Sequence, residues 1–321
     1  MHAIRLHAFG PADNLRYEEV PDPVPAEDQV RIAVEASGVH LIDTAIRRGT
    51  ALGPFPLPDL PMVPGREVAG AVEAVGAGVD PRWVGRRVVA HLGAASGGYA
   101  ERAVASVDAL HEIPNNVGAE AAVAMIGTGR TALAILDVAA LVPDDVVLVT
   151  AAAGGLGSLL IQAARNAGAV AVGVAGGPEK TERLRALGAT APVDYLAPDW
   201  PDRVRAALGE RAVSVVLDGV GGPLGRGALD LLGAGGRLVL FGWSSGEPTA
   251  LTAWDLIARG LTATALGRPR SLRTLETRAL EEAAAGSLVP LIGQRFPLAR
   301  AAAAHTAIEQ RATVGKTLLV P

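Results

Sequence analysis

Val146-Val147-Leu148-Val149-Thr150-Ala151-Ala152-Ala153-Gly154-Gly155-Leu156-Gly157-Ser158 is the stretch that decides the fold of this 321-residue chain. Its short, Val-rich apolar opening reads as a strand buried on both faces. The strand runs directly into a glycine-rich turn and then into an apolar helix, Leu159 to Ala167. Strand, turn and helix in that order begin a dinucleotide-binding fold. Gly154 and Gly155 carry no side chain to hold a pyrophosphate away, Leu156 lies within the turn, Gly157 permits close helix–sheet packing, and the helix N-terminus offers free N–H groups. Ala152 stands where the G-x-G-x-x-G pattern has its first glycine. Taken alone, such a turn in an Ala/Gly-rich chain also reads as a packing device.

Working outward, a helical stretch Ala119–Val142 precedes this strand. Further strands are expected at Val170–Val174, Pro192–Asp194, Val213–Asp218, Arg237–Phe241 and Thr262–Leu266, with helical material between most of them. Six strands in this rhythm predict a doubly wound parallel sheet over residues 121–266. From Ala3 to Ile113 the texture differs, with β-like runs such as Val30–Val34, Val68–Val75 and Arg86–Val89 separated by Gly/Pro turns. After Leu266 a helix (Ser271–Ala285), a strand (Leu291–Phe296), a helix (Leu298–Gln310) and a strand (Lys316–Val320) return to that style. The reading is α/β, with a β-rich domain of residues 1–120 and 267–321 beside the parallel-sheet domain.

Composition narrows the function classes. A formal charge of -4 with dispersed signs gives no electrostatic reason to expect nucleic acid or an anionic membrane. The first residues lack an apolar signal region, and apolar runs are broken by charge, so a soluble, cytoplasmic protein acting on small molecules is expected. With no Cys, thiol catalysis and thiolate metal ligation are excluded.

The end of the second strand bears on the cofactor. An NAD site wants an acidic side chain there, and the chain reads Ala175-Gly176-Gly177-Pro178-Glu179-Lys180 instead. Lys180 beside an uncharged turn suits the 2′-phosphate of NADPH. An ordinary solvated lysine opening a helix fits the same spacing, and both readings stand on these residues alone.

Several segments in order carry a resemblance: Gly38-Val39-His40-Leu41-Ile42-Asp43-Thr44, Pro64-Gly65-Arg66-Glu67-Val68-Ala69-Gly70, Gly98-Tyr99-Ala100-Glu101, the Ala-Ala-Gly-Gly-Leu-Gly turn, Asp218-Gly219-Val220-Gly221-Gly222, and Arg311-Ala312-Thr313 with Gly315-Lys316. Over nearly its whole length the chain resembles the quinone oxidoreductase (ζ-crystallin-like) family of the zinc-independent medium-chain dehydrogenase/reductase superfamily. The resemblance implies a GroES-like β domain for the substrate and a Rossmann domain for NADPH. It implies that Lys180, Tyr195 and Arg311 converge on the 2′-phosphate, that Gly242 lies near the nicotinamide, and that Thr128 or Thr131 does so from the preceding helix. Tyr195 and Arg311 have surface roles as alternatives.

Zinc-dependent cousins place Cys where this chain has His40 and His where it has Arg66, so no metal site is expected. His40 stands where similar enzymes usually have Asn. It could donate a proton, with Asp43 as its partner, or hold a structural hydrogen bond to Asp43. Arg66 and Trp243 are expected to line the acceptor pocket, with core packing as the alternative for Trp243. The implied function is NADPH-dependent reduction of quinones or α,β-unsaturated carbonyls. Two others stay open: a 2-enoyl thioester reductase using Arg47, Arg48 and Arg66, and a non-enzymatic NADPH-binding redox sensor. Pairing of the Thr262–Leu266 sheet edge predicts a homodimer.

Overall fold

A computed structural model describes residues 1–50, 56–267 and 271–321. In chain order the strands and helices are β1 (His2–Leu6), β2 (Leu15–Glu19), β3 (Gln29–Val39), α1 (Leu41–Arg48), β4 (Glu67–Val75), β5 (Arg87–His91), β6 (Arg102–Ser106), β7 (Leu110–Glu112), α2 (Ala119–Ala124), α3 (Arg130–Ala139), β8 (Val146–Val149), α4 (Gly155–Asn166), β9 (Val170–Ala175), α5 (Pro178–Ala186), β10 (Ala191–Asp194), α6 (Trp200–Leu208), β11 (Val213–Asp218), α7 (Gly222–Asp230), β12 (Leu232–Leu240), α8 (Ala253–Arg259), β13 (Thr262–Ala265), α9 (Leu272–Ala285), β14 (Ile292–Pro297), α10 (Ala301–Glu309) and β15 (Lys316–Val320). They fall into two compact units. One comprises Met1–Thr128, Glu276–Ala285 and Pro290–Pro321, the other Gly129–Leu275 and Gly286–Val289.

The second unit is the expected doubly wound sheet. Its strands are parallel in the order β10-β9-β8-β11-β12-β13. The chain therefore leaves β8 toward one edge and returns beside it at β11, which makes the gap between the ends of β8 and β11 the topological switch where such sheets bind ligands. All four residues of β8 are buried, as a central parallel strand requires. Pro192 is tolerated because β10 is an edge strand. Leu148, at the centre of β8, belongs to an aliphatic core that includes Val146, Val172, Val174, Val204, Val216 and Leu229.

The first unit carries a mostly antiparallel sheet in the order β14-β15-β3-β4-β5-β7, with β6 also on β3 and β1–β2 as a separate pair. The first half of β3 alternates buried Val30, Ile32 and Val34 with more open residues, then Ala36–Val39 are buried without a break. That change occurs where β4 lies on one side and β15 on the other. It is also why the strand outruns the expected Val30–Val34.

Two other boundaries shift. β12 begins at Leu232, earlier than expected, because Leu232 pairs with Val213 ahead of a bulge in which Gly235 takes a positive φ of 72°, and regular pairing resumes at Arg237. The helical stretch 119–142 ends at Ala139 and contains a π-helical segment at Met125–Gly129. By length and composition Ala119–Ala139 is apolar enough to cross a membrane, contrary to the expectation that charge breaks every such run, but 67% of its apolar 18-residue window is buried inside the protein.

A buried chain of polar groups joins α1, α10 and the loop before β6 in the first unit. Tyr99 is fully buried, and burial followed by the Asp43 charge pushes its phenol well above the ordinary value, so its hydroxyl stays neutral and donates to Asp43 Oδ2 at 3.2 Å. Its one proton spent, Tyr99 must accept from His305 Nε2, 3.2 Å away, which fixes the neutral His305 as the Nε2–H tautomer. Burial pushes His305 down to about 4, Asp43 partly opposing it and Arg47 adding to it. An unfolded His titrates near 6.5, so the unfolded chain binds more protons between these values. The stability this residue supports is complete above about pH 6.5 and is lost as pH falls toward 4, by about 3 kcal/mol. Urea midpoints of the wild type and His305→Gln between pH 7.5 and 4.5 check this. The variant's midpoint should fall less steeply with acid, and parallel profiles would contradict the assignment.

Candidate active site

The turn after β8 is built by close backbone approach. Ala151 adopts a positive φ of 47°, Gly154 caps α4, and a side chain at Gly157 would meet Ala151 O and Ala152 Cα at 2.5 Å. Gly154, Gly155 and Leu156 are half-buried at the helix N-terminus, while Gly157 is buried beneath them. Ala152 can replace the pattern's first glycine because β9 gives way. A Cβ at Gly173 would stand 3.2 Å from the Ala152 Cβ, and Gly173 has none. The cradle fits a pyrophosphate, since N–H groups at the start of a twelve-residue helix lie under a turn free of bulky side chains.

At the carboxyl end of β9, a side chain on Gly176 would come within 2.9 Å of the Tyr195 hydroxyl, so the phenol lies directly over this turn. Asp194, the nearest carboxylate in that loop, accepts from the Gly177 and Leu196 amides at 2.8 and 2.9 Å. Both bonds fall on Oδ1. Lys180 is the third residue of α5, half-buried, and Glu179 beside it pairs with Arg183 one turn along at 3.1 Å. Arg311 belongs to the first unit, where it is exposed with a positive φ of 55° after the end of α10.

The switch itself is held by Asp218, which the sequence reading did not single out. Fully buried at the end of β11, it accepts from Thr150 Oγ1 at 2.8 Å, the Val220 amide at 2.9 Å and Thr249 Oγ1 at 2.5 Å. Thr150 is the first residue after β8, so these bonds tie the two sides of the switch together. The loop after β12 follows: the Ser244 and Ser245 amides donate to Gly219 O and Val220 O. A side chain at Gly242 would stand 3.0 Å from Gly219 O, and Trp243 is 58% exposed rather than packed into a core. Thr131 lies half-buried near the start of α3.

The first unit contributes a second cluster. Glu67 is fully buried, and its Oε2 lies 2.8 Å from Lys316 Nζ and 2.7 Å from His40 Nε2. Burial would raise this carboxyl, but the nitrogens of His40 and Lys316 outweigh it and hold the group ionised, well below the ordinary carboxylate range. Lys316 Nζ also lies 2.7 Å from His40 Nε2 and 3.3 Å from Thr128 Oγ1. His40 is the more exposed member of the pair it forms with Glu67, at 21% of its side chain.

The expected partnership of the His40 and Asp43 side chains is therefore corrected. The His40 ring nitrogen goes to Glu67 and Lys316, while Asp43 Oδ2 accepts the His40 backbone N–H at 2.8 Å and caps α1. Asp43 is buried and holds Arg66 Nε at 3.4 Å, so it orients its neighbours. Arg47 and Arg48 both pair with Glu309, and buried Arg47 also donates to Gly10 O, which removes them as free cations for a carrier phosphate. Glu67 and Lys316 were legible only as parts of longer segments. The missed signal was the glycines around them, for side chains at Gly38 and Gly127 would both fall on the Glu67 carboxylate.

Two family models match the chain: "Alcohol dehydrogenase GroES-like domain" over residues 26–115 and "Zinc-binding dehydrogenase" over residues 155–284. The chain is 34% identical to a quinone oxidoreductase of Salmonella typhimurium, covering 99% of each protein. It is also 34% identical to a 2-haloacrylate reductase of a Burkholderia species, covering 98% of each. The crystal structure of Escherichia coli quinone oxidoreductase complexed with NADPH superposes with a TM-score of 0.87 at 32% identity, over 100% of both chains.

Gly127→Ala should test the packing around Glu67, since the added methyl must displace a buried ionised carboxylate. We expect a loss of about 1–3 kcal/mol in urea unfolding, and wild-type stability would show that the carboxylate can move freely. With its two-unit fold, its glycine cradle at the sheet's switch and relatives of this identity over nearly full length, the chain belongs to the quinone oxidoreductase family of the medium-chain dehydrogenase/reductase superfamily.

Proposed function

We propose that the protein catalyses NADPH-dependent reduction of quinones or α,β-unsaturated carbonyl compounds by hydride transfer, without zinc. The observation that carries the reading is the Gly176 turn. There Asp194 accepts the Gly177 and Leu196 amides through Oδ1, the Tyr195 hydroxyl lies over the turn, and Lys180 stands in the first turn of α5. A phenol and an ammonium at an uncharged strand end favour a 2′-phosphate over a bare ribose. Gly154, Gly155, Leu156 and Gly157 would hold the pyrophosphate, Gly242 and Thr131 would serve the nicotinamide side, and Arg311 is the further cation proposed for the 2′-phosphate. NADPH, when bound, supplies the hydride.

The residues do not fit a catalytic zinc. The chain has no Cys, Arg66 replaces a ligand His, and the His40 ring nitrogen is taken by Glu67 and Lys316. Among the described residues no group of three His, Cys, Asp or Glu side chains could hold a metal. Polarisation of the acceptor therefore falls to hydrogen-bond donors, with His40 as the donor to the carbonyl oxygen and with Arg66 and Trp243 as the further residues proposed for the acceptor. Quinones and enones suit such a site because conjugation already spreads the developing negative charge. The pairing of Arg47 and Arg48 with Glu309 counts against the thioester reading.

Titration of the purified protein with NADPH and NADH, followed by 1,4-benzoquinone, 9,10-phenanthrenequinone and an enone, tests the proposal through nicotinamide absorbance. NADPH should be preferred, and Lys180→Ala or Tyr195→Phe should each cut that preference by about tenfold to a hundredfold. Tight NADPH binding without oxidation by any acceptor would favour the redox sensor, and binding of neither nucleotide would overturn the reading.

A homodimer belongs to the same proposal. β13 is an edge strand and largely exposed, and in the same unit α8 presents Trp254 and Ile257, each 71% exposed. An unpaired edge beside bare aromatic surface favours a second copy of the chain. Sedimentation should show a dimer for the wild type and a shift toward monomer for Trp254→Lys, and a wild-type monomer would refute the assembly.

A further inference from the structure

Lys316 opens β15, and its side chain is only 4% exposed. An ammonium has three N–H donors and no acceptor. Three acceptors surround this one: Glu67 Oε2 at 2.8 Å, His40 Nε2 at 2.7 Å and Thr128 Oγ1 at 3.3 Å. Glu67 Oε2 meanwhile lies 2.7 Å from the same His40 Nε2. One ring nitrogen thus faces a donor and an acceptor at equal distance, and it can serve only one of them.

Donor counting decides between the two. If Nε2 carried the proton, it would serve Glu67 but leave a buried ammonium N–H aimed at another hydrogen. If Nε2 is the acceptor, all three ammonium donors are matched and Glu67 Oε2 keeps its bond to Lys316, while the Nε2 lone pair faces Oε2 at 2.7 Å with the ammonium bonded to both. An unmatched buried charged donor costs more than a shared acceptor. The Asp43 backbone N–H faces the His40 side chain in a capping box, but it donates to the His40 carbonyl at 3.1 Å and forms no hydrogen bond to the ring.

We propose that Lys316 is a positioning residue that fixes His40 as the Nδ1–H tautomer, so that the ring offers a neutral N–H donor to the acceptor's carbonyl oxygen. This rests on the reading of His40 in the proposed reductase. A donor set before the substrate arrives needs no reorganisation as negative charge develops on that oxygen. The other tautomer would present a lone pair to the oxygen and repel it. The chain thereby uses a residue 276 positions away to choose the polarity of its site.

Nitrogen-15 NMR of the full-length protein labelled at histidine, with His40 assigned by its absence in His40→Gln, reads the tautomer directly. In the wild type, Nε2 should show the unprotonated shift and Nδ1 the protonated one, and a protonated Nε2 overturns the proposal. In Lys316→Met only Glu67 remains beside Nε2, so the proton should move to Nε2, and kcat should fall about tenfold to a hundredfold with the acceptor KM changed less than about threefold. An unchanged tautomer in that variant overturns the proposal as well. Glu67→Gln keeps Lys316 and should keep the wild-type tautomer, and a flip there tells against Lys316 as the cause. Because the NMR readout needs no turnover, the expected tautomers in a protein that reduces no acceptor would sink the reductase reading and leave the tautomer assignment standing.

Discussion

A carboxylate with no exposure must be paired, and Glu67 is the group around which the first unit is arranged. Removing one partner from a buried ion pair costs about 3–5 kcal/mol because the other charge is left uncompensated. Replacing the whole pair with apolar residues can cost nothing, so stability alone does not explain Glu67 and Lys316. What the pair fixes is position. β4 starts with the carboxylate, β15 starts with the ammonium, and both strands flank β3, whose last residue before the turn to α1 leads into His40. Gly38 and Gly127 clear the space, and the second of these lies in the π-helical segment that interrupts the helical stretch. The irregular turn is therefore accounted for by the carboxylate it accommodates, in keeping with the frequent occurrence of π turns at functional sites.

The second unit solves the same problem differently. Asp218 is also fully buried, yet its oxygens are met by two threonine hydroxyls and backbone amides rather than by a cation. Hydrogen bonds of this kind are directional where an ion pair is not, and they lock the ends of β8 and β11 and the start of α7 at the topological switch. One unit uses a charge pair to orient a ring. The other uses amide and hydroxyl donors to shape a loop against which a dinucleotide can lie.

Most of the fold was legible because it follows from local pattern. Buried Val-rich runs separated by helices specify a parallel sheet, and all six expected strands occur. The glycine turn was legible for the same reason, since strand, turn and helix are adjacent in sequence. The candidate catalytic cluster was not, because its members come from residues 40, 67, 128 and 316 and nothing local marks a Lys near the C-terminus as buried. Arg47 and Arg48 show the converse error. Two adjacent arginines look available for a ligand, but the partner that takes both, Glu309, lies about 260 positions away. Lys180 and Tyr195 are an intermediate case, where the residues alone left two readings and only the resemblance chose between them.

The replacement of Asn by His at position 40, relative to the pattern of similar enzymes, has a physical consequence that the surrounding residues address. An amide carries a donor and an acceptor on one planar group and can turn either toward a substrate. A neutral imidazole also carries one of each, but on opposite sides of a ring, and which side holds the proton depends on what the other side meets. A His at this position next to a lone carboxylate would place its proton on the buried side and face outward as an acceptor. With a cation sharing that carboxylate, the preference reverses and the outward nitrogen becomes the donor. In the proposed reductase, Lys316 thus lets His40 present the donor polarity that suits a carbonyl acceptor.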